Sequence, residues 1–120
     1  MEVNLLARSS GGDPYTVAFR LADGILTIGC DCRAAVFGLA CKHRLALAAG
    51  DRRMLFDPTA TDDLELAAGW AQSSELPALL DKVEEAERAV EAAKRVVKDI
   101  KRQIGRQMVA GLEPLDGHEA

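Results

Sequence analysis

The chain has 120 residues, 48% hydrophobic but only 4% aromatic, and carries a formal net charge of −4. Much of the apolar content is alanine, which buries little area, so a core built from it is thin and needs a staple such as a metal or a partner chain. The acidic balance excludes the overall signature of a nucleic-acid binder, and any such contact must come from a local basic patch.

In chain order, Val3 to Leu6 fits a short strand, and Ser9 to Pro14 reads as a loop. Tyr15, Val17, Phe19 and Leu21 alternate with Thr16, Ala18 and Arg20, the period of a strand. Asp23-Gly24 is a hairpin turn signal, and Ile25 to Ile28 form the returning strand. The stretch CDCRAAVFGLACKH follows, from Cys30 to His43. Helix is expected over KHRLALAAG, ending at Gly50. The segment from Asp51 to Thr61 is a connection in which Met54, Leu55 and Phe56 are available to pack. Residues 62 to 72 suit a short helix with acids in its first turn, and Trp70 is a core or interface anchor. Ser73 and Ser74 read as helix caps, and Pro77 lies in the first turn of the last helix. That helix runs from residue 76 to about 110 and would be about 50 Å long at 1.5 Å per residue. The division expected is a ββα module at 1–58 that holds this stretch, a connecting short helix at 59–75, a coiled-coil helix at 76–110 and a tail at 111–120. His118 lies in that tail with no role assigned.

All three cysteines of the chain lie in CDCRAAVFGLACKH, with one of its two histidines. The odd number argues against a secreted disulfide framework and for a reducing compartment. No run of about 20 apolar residues exists to span a membrane. The N-terminus has no basic start followed by an apolar stretch, so no signal peptide is expected. A cytoplasmic protein follows, or one of the nucleoid or nucleus if it is DNA-associated. The spacing is Cys-x-Cys, eight residues, then Cys-x-His. Two ligand pairs, one after a strand and one opening a helix, can converge on a single zinc ion. With Cys30, Cys32, Cys41 and His43 all bound, no position is left for a substrate water, which is the pattern of structural rather than catalytic zinc. A Cys30–Cys32 redox pair would leave Cys41 and His43 unexplained. Arg33, Lys42 and Arg44 would sit beside a three-thiolate site. Val36, Phe37 and Leu39 are expected to pack under the knuckle, and Gly38 permits the chain to turn back.

Cys30-Asp31-Cys32 and Cys41-Lys42-His43, with Phe-Gly-Leu-Ala leading into the third cysteine, resemble the SWIM-type zinc finger. Ala40 stands where that family often has proline. The resemblance covers roughly residues 15 to 50 and implies one structural Zn2+ per chain. SWIM modules occur in Mutator-type transposases, Swi/Snf-family helicases and recombinase partners, which implies contact with DNA or with other proteins.

In the last helix, Leu76, Val83, Val90, Val97 and Ile104 recur every seven residues. Leu79, Ala86, Ala93, Ile100 and Gln107 fill the second seam position, so nine of the ten seam residues are apolar. This is a coiled-coil seam. Residues 81 to 91 are mainly acidic and residues 94 to 106 mainly basic. Antiparallel pairing of two copies would set opposite charges together. The alternative is a helix folded back on its own module, with Leu80, Val96 and Met108 widening the apolar face. Candidate phosphate contacts are Lys94, Arg95, Lys98, Lys101 and Arg102, with Lys42, Arg44, Arg52 and Arg53 as a second patch. A solvated helix face laced with salt bridges is the plainer explanation of such a run. No P-loop, dinucleotide fingerprint or catalytic acid pair is present. The expectation is an α+β, non-enzymatic zinc protein acting as a DNA-associated accessory factor in recombination, transposition or phage biology. The alternative is a protein–protein adaptor acting through its last helix.

Overall fold

The computed structural model describes residues 1–115, which include two compact units, the first Met1–Leu79 and the second beginning at Leu80. In the first unit, β1 (Glu2–Ala7), β2 (Tyr15–Ala22) and β3 (Ile25–Cys30) form an antiparallel sheet in that order. Short helices α1 (Arg33–Val36) and α2 (Lys42–Ala48) follow, then a 3-10 turn over Arg52–Met54, α3 (Thr61–Gln72) and the start of α4 (Leu76–Ala110). The fold is α+β, with the cysteine and histidine residues at the passage from sheet to helices.

The β2–β3 turn is tight because Asp23 and Gly24 both adopt positive φ, 53° and 77°. That turn matches the right-handed twist of the strands it joins. It also fixes the register, pairing Val17 with Cys30 and Phe19 with Ile28. On the other edge Val3 pairs with Phe19 and Leu5 with Val17. Val3, Leu5, Val17 and Phe19 point to one face and are buried there. Val3 to Leu6 thus belongs to a full third strand, so the sheet exceeds the hairpin of the ββα expectation. A strand-like segment extends it further. Arg8 donates its backbone N–H to Met54 and Phe56 donates to Leu6, so Leu55 bridges Ala7 and is buried.

Leu47 and Ala48 of α2, and Leu64, Ala67 and Ala71 of α3, cover the buried sheet face. Positions 64, 67 and 71 recur at helical spacing, so they share one side of α3. Trp70 and Leu76 pack at the margin of this cluster. The Gln72 side chain donates to Ala48 O at 2.9 Å and ties the two helices. Ser74 Oγ accepts from the Leu76 N–H and donates to Ala71 O. It therefore closes α3 and opens α4, as a capping serine does.

The second unit is carried by α4, 35 residues without a break and with none of them buried. Among the described residues no helix is long and apolar enough to cross a membrane. His118 lies outside the described residues.

Candidate metal centre

Two copies of one small device build the site. Cys32 caps the N-terminus of α1 and Cys41 that of α2. Each sulfur accepts a backbone N–H three residues on, from Ala35 at 3.5 Å and Arg44 at 3.4 Å. Each helix also ends alike. Gly38 donates to Ala35 O and Leu39 to Ala34 O, while Gly50 donates to Leu47 O and Asp51 to Ala46 O. Both glycines have φ near 77–78°, the left-handed conformation of a glycine that closes a helix. Two short helices therefore each present an N-terminal backbone N–H to a cysteine sulfur.

The strand end supplies the rest. Cys30 is the last residue of β3. Asp31, between the first two cysteines, accepts the Thr16 N–H at 2.9 Å. This pins the Cys-x-Cys segment to the start of β2. His43 lies in the first turn of α2, only 5% exposed, with its ring 4.9 Å from that of Tyr15.

The four ligand atoms of Cys30, Cys32, Cys41 and His43 all lie within 4.8 Å of one another. Four atoms about one tetrahedral zinc, with bonds of about 2.3 Å to sulfur, would be similarly close together. A separate observation tests the fit. Both ring nitrogens of His43 are buried and neither has a hydrogen-bond partner. A buried imidazole left that way is costly, and coordination satisfies one nitrogen directly. The donor set, three thiols and an imidazole, is that of a closed structural zinc site.

Electrostatics inside the cluster are uneven. Burial pushes the Cys30 thiol up to about 12, and its neighbours Cys32 and Cys41 add to the rise, while the Cys32 backbone opposes it. Burial also pushes Cys41 up, but hydrogen bonds from the Arg44 backbone and side chain and from Cys32 and Cys30 outweigh it. Cys41 ends below the ordinary thiol range. Burial lowers His43, Lys42 lowers it further, and Asp31 opposes in part. Its neutral form, the one that binds metal, is favoured.

Arg44 has a structural task. Its guanidinium donates to Cys41 Sγ at 3.3 Å, to Ile28 O at 3.1 Å and to Leu39 O. It ties the third cysteine, the strand end and the loop between the ligand pairs. That loop differs from expectation. Val36, Phe37 and Leu39 do not pack under the knuckle but are 74%, 68% and 60% exposed. α1 is only four residues long and buries none of them, and the chain reverses at Gly38 directly after it. The loop is held from below by Arg44, and the Arg33 guanidinium lies 5.8 Å over the Phe37 ring. Arg44→Ala is expected to cost about 2 kcal/mol, the scale of charge-assisted hydrogen bonds. Arg44→Lys should not restore it, because one ammonium cannot reproduce the fork. Thermal melting of the two variants beside exposed Lys42→Ala checks this.

The other predicted contact residues fall in both units, several of them in ion pairs. Arg52 pairs with Glu65 at 3.3 Å and Arg53 with Asp51 at 3.1 Å. On α4, Lys94 pairs with Glu91 and Arg102 lies 3.8 Å from Asp99, while Arg95, Lys98 and Lys101 are exposed. Sequence reasoning missed Tyr15, Asp31 and the structural use of Arg44. For the first two a signal existed. Continuing the hairpin register from Asp23-Gly24 sets Thr16 opposite Asp31 and Tyr15 opposite Cys32.

Residues 13–49 match the profile of the SWIM zinc finger family. All four clustered residues lie inside that match, so this segment is similar to a SWIM zinc finger. No curated protein and no solved structure matches the chain.

Proposed function

We propose that this protein is a non-enzymatic zinc-finger adaptor of a reducing, cytoplasmic compartment. One structural Zn2+ per chain, held by Cys30, Cys32, Cys41 and His43, stabilises the first unit. The long helix α4 carries partner recognition. The observation that carries this reading is the apolar seam of α4, which runs from Leu76 to Ile104 and is about half exposed at Val83, Val90, Val97, Ile100 and Ile104. Solvent-facing helices do not ordinarily hold such a stripe without a partner helix. The non-enzymatic part is supported by the four-ligand set, which leaves no coordination position for substrate. The test is Val90→Asp/Val97→Asp in the zinc-loaded chain. Native mass and the set of co-purifying chains should change while zinc content stays the same. An unchanged mass and an unchanged set would contradict the reading.

A second reading, a DNA-associated accessory factor, is favoured by the SWIM resemblance together with exposed Arg95, Lys98 and Lys101. It predicts DNA binding that weakens steeply with salt. Reversing Lys98, Lys101 and Arg102 to Glu should flatten the salt dependence by about one unit of log–log slope for each phosphate no longer neutralised. Absence of binding at low salt would remove it.

A further inference from the structure

The seam and the charges of α4 select one partner. We infer that the helix pairs antiparallel with α4 of a second copy of this chain, about a two-fold axis between Glu91 and Ala92. The inference rests on the reading of α4 as a pairing helix and adds the identity, direction and register of its partner.

Side-chain size is the first argument. In an antiparallel pair, the first seam position of one helix faces the second seam position of the other. About this axis Val90 faces Ala93, Val97 faces Ala86 and Leu79 faces Ile104, each twice by symmetry. Every alanine of the seam thus meets a larger apolar residue. A parallel pair in register would stack Ala86 on Ala86 and Ala93 on Ala93, leaving two hollow layers in mid-helix. Hollow layers forfeit contact and are destabilising.

Charge is the second argument, and it fixes the register. The change from acidic to basic falls between Glu91 and Lys94, at the proposed axis. Beside the seam, Glu87 then lies next to Lys94 of the second copy, and the symmetry repeats the pair. Sliding one helix by a heptad in one direction sets Lys94 against Lys94. Sliding it in the other direction sets Glu87 against Glu87. Both slipped registers also lose a seam layer. Like charges at these flanking positions disfavour a register, as they do in coiled coils generally.

The test is sedimentation equilibrium of the zinc-loaded full-length chain, with Glu87→Lys, Lys94→Glu and the double reversal. Residues 87 and 94 are about 10 Å apart along one helix, two turns, so they do not touch within a chain. Both also neighbour Glu91 within the helix, with which Lys94 pairs, so rescue of the dissociation constant at unchanged helix content is what must come from across a dimer. The wild type should be a dimer. Each single reversal should raise the dissociation constant roughly three- to thirtyfold, the scale of removing two flanking ion pairs. The double reversal should return to within about threefold of wild type. Helix content by circular dichroism controls for changes internal to α4. In a parallel dimer Lys94 would flank Ala89, so a neutral Lys94→Glu would overturn the inference. A wild type that stays monomeric would overturn it too. If the monomer still loses a heteromeric complex on Val90→Asp/Val97→Asp, the adaptor reading survives and only the second copy is wrong.

Discussion

Removing the metal, or replacing His43 with alanine, is expected to unfold the Met1–Leu79 unit. Its buried cluster holds Val3, Leu5, Val17, Phe19, Leu47, Leu55 and Leu64, and the remaining members are the alanines 7, 48, 67 and 71. Such a core leaves little margin once the conformational entropy of the chain is met. Structural zinc contributes about 10–16 kcal/mol of apparent binding energy, felt largely as folding energy. That is as large as the whole stability of an ordinary domain, about 5–15 kcal/mol. Loss of zinc also leaves His43 buried with both nitrogens unsatisfied, and lets the two cysteine-capped helices drift from the sheet. Trp70 is the only tryptophan and packs at the edge of this core, so its fluorescence should shift to the red when a strong chelator is added. Acidification should act in the same direction, because protons compete with zinc for the thiolates and the imidazole. Stability is therefore lost as the pH falls. Identical melting curves with and without chelator would contradict this expectation.

Phe19→Ala should be the most damaging single change away from the metal. Phe19 is fully buried at the centre of the middle strand, between Val3 of β1 and Ile28 of β3. Truncating a buried phenylalanine costs about 3–5 kcal/mol. For a unit of this size that corresponds to a fall in Tm of roughly 15–30 °C. Phe37 provides the contrast. The same substitution at this exposed ring in the loop between the ligand pairs should change stability by no more than about 0.5 kcal/mol. Scanning calorimetry of the zinc-loaded variants separates the two. A Phe37→Ala variant as damaged as Phe19→Ala would mean that the loop packs inward, as its hydrophobicity suggests.

That loop shows where the sequence stops being legible. The spacing of Cys30, Cys32, Cys41 and His43 announces a closed metal site, because ligand chemistry is local and few residue types qualify. The strand period and the Asp23-Gly24 turn announce the hairpin, and the heptads announce α4. Hydrophobicity misleads at Val36, Phe37 and Leu39. Three apolar residues near a metal look like its shield, but a four-residue helix closed at Gly38 turns them outward. The ring that packs beside His43 is that of Tyr15, whose part depends on a register rather than a motif. Arg44 is legible only as a charge, and charge alone does not distinguish a side chain facing solvent from one tied to two carbonyls and a sulfur. The attachment of Leu55 to β1 is hidden for a similar reason. Met54, Leu55 and Phe56 lie in a connection with no strand period, and only the open edge beside Ala7 gives Leu55 its place.

Four side chains in one short stretch are expected to hold a zinc ion that the first unit needs. Elemental analysis, on protein purified without added zinc and paired with native mass, tests it most directly. One zinc per chain is expected, lost together with the folded signal of Trp70 on chelation. A folded protein without metal, its three thiols free, would contradict it.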